Sequence, residues 1–100
     1  MNAIIAKLTA AEGKEAEMRA ALETMVKAVS DNEPDVSKYE LHTDPENPAV
    51  FYFYELYDNA EAQEAHGKTE HMKALGAALG GISAGRPEIT RLEHIAGVSR

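Results

Sequence analysis

Two histidines five residues apart, His66 and His71, and a glutamate set among aromatics, Glu55, are the side chains of this sequence best suited to proton chemistry. An imidazole titrates near neutral pH and serves as a general base. A carboxyl group in an apolar strand needs a partner when buried, and burial raises its pKa. Lys7 and Arg91, on the neighbouring strands, are the basic residues that could pair with Glu55. Tyr57 stands two residues from Glu55, so in a strand the two project from one face. The other tyrosines read mainly as core, with Tyr39 and Tyr54 able to turn a hydroxyl into a cavity.

Most other chemistries lack their residues. The chain has no cysteine, which excludes disulfides, thiolate metal sites and thiol nucleophiles. Gly80-Gly81 follows a helical pattern and precedes no Lys-Ser/Thr pair, so it is not a phosphate loop, and no dinucleotide fingerprint is present. Ser30, Ser37, Ser83 and Ser99 sit in no nucleophile motif. A step of five puts His66 and His71 about 140° apart on a continuous helix, away from a shared metal-binding face. The expectation is a protein that uses no metal, flavin or other cofactor. A net charge of -7 argues against nucleic acid or an anionic membrane as partner. No apolar stretch approaches the ~20 residues of a transmembrane helix. The start Met1-Asn2-Ala3-Ile4-Ile5-Ala6-Lys7 lacks the basic opening and long apolar run of a signal peptide, so a cytoplasmic location is expected.

These candidates need elements to hold them. Ala3 to Thr9 reads as a strand, and Gly13 to about Ser30 as an amphipathic helix burying Met18, Leu22, Met25, Val26 and Val29. Asn32-Glu33-Pro34-Asp35 ends it, because Pro34 cannot continue a helix. Ser37 to His42 alternates as a second strand, Thr43 to Pro48 is a turn cluster, and Val50 to Tyr57 is the strongest strand signal in the chain. Asp58 with Glu61 three residues on suggests a capping box. The helix that follows runs to His66 and breaks at Gly67. Thr69 caps a second segment with Met72, Leu75 and Leu79 as its apolar stripe. Glu88 to Ala96 reads as a last strand, with Ile89 and Ile95 on one face and Leu92 on the other.

A chain of 100 residues makes one domain, residues 1–100. The order β-α-β-β-α-β predicts an α+β, ferredoxin-like sandwich: a four-stranded antiparallel sheet with the helices on one face. The third strand is apolar on both faces, with Val50, Tyr52, Tyr54 and Leu56 opposite Phe51, Phe53 and Tyr57. A half-solvated strand should alternate apolar and polar. A second copy of the chain is the economical cover for the other face, so a homodimer is expected.

The stretch Phe53-Tyr54-Glu55-Leu56-Tyr57-Asp58, followed by Ala65-His66, Thr69 and His71-Met72-Lys73, resembles the antibiotic biosynthesis monooxygenase family, and its bacterial quinol monooxygenases in particular. The resemblance runs through element order and lengths over nearly the whole chain, and its specific part is about residues 51 to 75. It implies a dimeric α+β barrel with a pocket between helices and sheet in each subunit. It also implies oxygenation of a small dihydroxy-aromatic by dioxygen with no prosthetic group. On that basis His66 is the candidate base and His71 the second, with Glu55 and Tyr57 as polar partners. Tyr39, Tyr54, Met72, Leu75 and Leu79 are the candidate substrate contacts. The haem-degrading branch of the family uses an Asn, a Trp and a His ligand. Ala6, His66 and Gly76 fall in those places here, and the chain has no Trp, so haem degradation is rejected. Two alternatives stay open: an isomerase of a small phosphorylated signalling sugar, which needs Lys or Arg in its pocket, and a non-catalytic small-molecule-binding or stress-response dimer.

Overall fold

The computed structural model describes residues 1–100. Its elements follow in the order β1 (Asn2–Thr9), α1 (Glu15–Asn32), β2 (Val36–Asp44), β3 (Asn47–Tyr57), α2 (Ala60–Gly67), α3 (Glu70–Leu79) and β4 (Glu88–Glu93). The strands make one antiparallel sheet in the order β2-β3-β1-β4, the ferredoxin-like arrangement. No helix is long and apolar enough to cross a membrane.

Side-chain alternation assigns the two faces. Ile4, Ala6 and Leu8 of β1 pair in register with Glu55, Phe53 and Phe51 of β3, so these side chains share a face. Against it pack Met18, Leu22, Met25 and Val29, the i, i+3/i+4 stripe of α1, all buried. Tyr57 joins this core fully buried. The sheet face toward the helices is therefore the one carrying Glu55 and Tyr57. On the opposite face Tyr52 and Tyr54 are half-buried, while Ile5 is 36% and Leu92 44% exposed.

The structure moves several sequence-based boundaries. The Thr43–Pro48 turn cluster shrinks to Pro45 and Glu46, and Pro48 lies inside β3. It is tolerated because the β2–β3 register shifts between Thr43 and Asp44, an irregularity opposite Pro48 that asks no N–H of it. The α2 cap is Asn59, whose side chain accepts from the Ala62 N–H at 2.8 Å. Asp58 instead accepts the Ser37 hydroxyl. β4 ends at Glu93, the register partner of Asn2 where β1 begins, so there is no strand left to pair with. Ile95 is consequently 94% exposed and belongs to no sheet face.

Candidate active site

A cavity of about 290 Å³ lies between the helix-facing side of the sheet and the α2–α3 pair. Its walls are mostly apolar, with Ile4, Phe53, Met72, Leu75, Leu79 and Ile89 among them. Into it project Glu55, Tyr57, His66, Tyr39, Gln63 and Arg91. A larger hollow of about 550 Å³ between α1 and β2 holds neither Glu55, Tyr57 nor His66. The smaller cavity is the candidate site because it gathers the groups able to move protons.

The side chain of His66 is set by the helix break. α2 ends at Gly67 and α3 begins after Thr69, whose hydroxyl donates to the His66 carbonyl at 2.9 Å and accepts from the Met72 N–H at 3.2 Å. The two short helices are thus hinged, and the 140° separation expected on a continuous helix does not apply. Both histidines reach one carboxylate, Glu33. His66 Nδ1 lies 3.0 and 3.1 Å from its two oxygens, and His71 Nε2 lies 2.5 Å from Oε2. An ionised carboxylate only accepts, so it fixes the His66 tautomer with the proton on Nδ1. His66 Nε2 makes no hydrogen bond within the protein, yet no buried side-chain nitrogen or oxygen lacks a partner. Nε2 is therefore accessible, and the space His66 lines is the cavity. Its ring is wedged between Tyr39 and Tyr57, with centroids 5.2 and 5.5 Å away.

Glu55, only 6% exposed, accepts the Tyr57 hydroxyl at 2.5 Å. Burial raises its pKa above the usual carboxylate range. The Tyr57 hydrogen bond and the nearby His66 work in the opposite direction, while Glu33 adds to the rise. Burial and then the Glu55 charge push Tyr39 and Tyr57 far above the ordinary phenol value, so both remain hydrogen-bond donors across the accessible pH range. The pairing of Glu55 with Lys7 or Arg91 is not formed: Lys7 faces away and meets Glu88 at 3.9 Å.

Of the candidates read from the sequence, His66, Glu55, Tyr57, Tyr39, Met72, Leu75 and Leu79 come together around the cavity. Two do not. Tyr54 is in register with Ile5 and Glu40 and lies on the opposite sheet face, because alternation separates it from Glu55. His71 lies behind Glu33, 21% exposed, and lines a separate groove against Ala21, Thr24 and Ala28 of α1. Its link to the cavity runs through Glu33. Glu33 itself escaped sequence reading, since beside Pro34 it passed for part of a helix terminator.

The sequence profile of the antibiotic biosynthesis monooxygenase family matches residues 1–78. The chain belongs to this family. No curated protein matches the sequence. Among solved structures, one from Caulobacter crescentus, provisionally described as an antibiotic biosynthesis monooxygenase, is 32% identical, with a TM-score of 0.89 over 95% of this chain and 90% of that one. The Pseudomonas aeruginosa protein PA3566 is 28% identical, with a TM-score of 0.86 over 95% and 94%. A Deinococcus radiodurans protein with the same provisional description, at 22% identity and a TM-score of 0.86 over 100% and 98%, shows the shared fold. Family membership supports a monooxygenase-type function at the general level.

Proposed function

We propose that the protein is a monooxygenase that oxygenates a small dihydroxy-aromatic substrate with dioxygen and needs no cofactor. The observation that carries this reading is His66 Nε2, open to an apolar cavity while Glu33 holds Nδ1. An imidazole so held is a general base, and the charge it acquires is matched by the carboxylate behind it.

His66 takes the proton of one substrate hydroxyl. The resulting anion is electron-rich enough to reduce dioxygen, and a ring carbon forms a bond to one oxygen atom. Glu55, whose carboxyl burial makes harder to ionise, gives its proton to the peroxide. The O–O bond breaks as the ring C–H proton departs, so one oxygen stays as a carbonyl and the other leaves as water. All four electrons that reduce dioxygen come from the substrate. Apolar walls exclude water from the anion and the peroxide.

The test is anaerobic incubation with a panel of benzene- and naphthalene-diols, followed by admission of labelled dioxygen. The expected result is a hydroxyquinone carrying one labelled oxygen, formed much faster than without protein. Product without label, or no acceleration on any diol, refutes the reading. The isomerase alternative has one observation in its favour, Arg91 in the cavity wall, but most of the lining is apolar and suits an aromatic ring better than a sugar.

We also infer that the open sheet face is covered by a second copy of the chain. Exposed Ile5 and Leu92 continue the half-buried row of Tyr52 and Tyr54 across one sheet face, which leaves apolar side chains there uncovered by any element of the chain. Sedimentation at micromolar concentration should give twice the 10.9 kDa chain mass. Replacing Tyr54 with Glu should shift the species toward monomer, and a wild-type monomer refutes the inference.

A further inference from the structure

The cavity floor is one register row crossing all four strands. Tyr39 of β2 stands opposite Glu55 of β3, Glu55 opposite Ile4 of β1, and Ile4 opposite Arg91 of β4. All four side chains line the cavity. The row therefore reads phenol, carboxyl, aliphatic, guanidinium. Glu55 and Arg91 are two strand spacings apart, about 10 Å along the floor. His66 stands at the Tyr39–Glu55 end, where its ring meets Tyr39 and Tyr57.

Arg91 is the only Lys or Arg in the cavity lining, and it forms no ion pair with any carboxylate of a chain that carries 17 acidic residues. Its neighbour across the sheet is the apolar Ile4. A guanidinium presents its donors in a planar fork that fits a carboxylate at two points. Arg91 lies on an exposed strand, and its fork is open to solvent and to a partner in the cavity.

We propose that the substrate is an aromatic with its reacting hydroxyl at one end and an ionised acid group at the other, the acid held by Arg91 and the ring lying over Ile4. This rests on the reading of the cavity as an aromatic oxygenation site and adds which aromatics it selects. The ring satisfies the apolar middle of the row, and the hydroxyl reaches His66 and Glu55. The acid group at the far end sets the orientation that points the hydroxyl at the base. Ile89, beside Arg91 on β4, keeps the approach to the guanidinium partly apolar.

The experiment measures equilibrium binding under anaerobic conditions, so that no turnover is required. The probes are 6-hydroxy-2-naphthoate, 2-naphthol and ribose 5-phosphate, each against wild type and Arg91→Gln. Wild type should bind the hydroxynaphthoate about tenfold more tightly than 2-naphthol, the size of one charge-assisted contact at a partly open site. In Arg91→Gln that preference should vanish, with 2-naphthol affinity unchanged. Raising salt should weaken only the hydroxynaphthoate. Equal affinity of both aromatics for wild type, or a preference that survives Arg91→Gln, overturns the proposal while leaving the aromatic cavity standing. Failure of 2-naphthol to bind at all would instead strike the function reading itself. Tighter binding of ribose 5-phosphate than of the hydroxynaphthoate would overturn the proposal in favour of a phosphorylated non-aromatic substrate.

Discussion

Replacing His66 with alanine should lower kcat/KM for diol oxygenation by about 10²-fold or more, the usual loss when a general base is removed. The variant should fold, for a reason visible in the site. Glu33 keeps its hydrogen bond to His71 at 2.5 Å, so no buried carboxylate is left without a partner. The acid limb of the activity profile should disappear with the imidazole, and added free imidazole should restore part of the rate. Glu33→Gln tests the other half of the pair. The amide can still meet both histidines, but it no longer balances the positive charge that His66 gains. Loss of the carboxylate behind a catalytic imidazole costs up to about 10⁴-fold, and here the loss should fall on kcat more than on KM because binding is left intact. A His66→Ala protein with an unaltered pH profile would remove His66 from the mechanism. Activity that survives in His66→Ala but not in His71→Ala would make the groove-side imidazole the base.

The fold was legible because its signals are periodic. The α1 stripe and the alternation in β3 follow from side-chain geometry, and they correctly place Glu55 and Tyr57 together. Which face of β3 meets the helices is decided only by the register with Ile4, Ala6 and Leu8. Sequence spacing could not supply that register. Tyr54 shows the consequence: an aromatic next to Glu55 in the chain lies across the sheet from it in space. Glu33 was missed for a different reason. Its partners His66 and His71 are 33 and 38 residues away, and its own neighbourhood reads as a helix stop. The break at Gly67 and Thr69 was visible, and it is the feature that lets residues five apart share a carboxylate. A histidine on each side of a helix break is therefore a signal to look for a common acceptor rather than for a shared helix face.

The same separation of roles predicts how Glu55→Gln should behave. Burial makes this carboxyl harder to ionise in the folded chain than in the unfolded one. Its contribution to stability is then fully present below the unfolded glutamate pKa of about 4.3 and is lost as the pH rises through its higher folded value. Glutamine cannot ionise, and its carbonyl oxygen can still accept the Tyr57 hydroxyl that Glu55 accepts at 2.5 Å. The variant should therefore lose that part of the decline in melting temperature as the pH rises above the unfolded value of about 4.3, and at neutral pH it should melt above wild type. Activity should move the other way. Without the proton that Glu55 gives to the peroxide, kcat should fall by about 10²-fold, and uncoupled hydrogen peroxide should accumulate in place of water. A buried group that costs stability at working pH yet is needed for turnover is what a site tuned for proton delivery requires. Melting curves with the same pH slope in both proteins would mean that Glu55 is no harder to ionise folded than unfolded. Full activity in the more stable variant would leave the carboxyl a structural acceptor for Tyr57, and the proton would have to reach the peroxide from Tyr57 or from the His66 imidazolium.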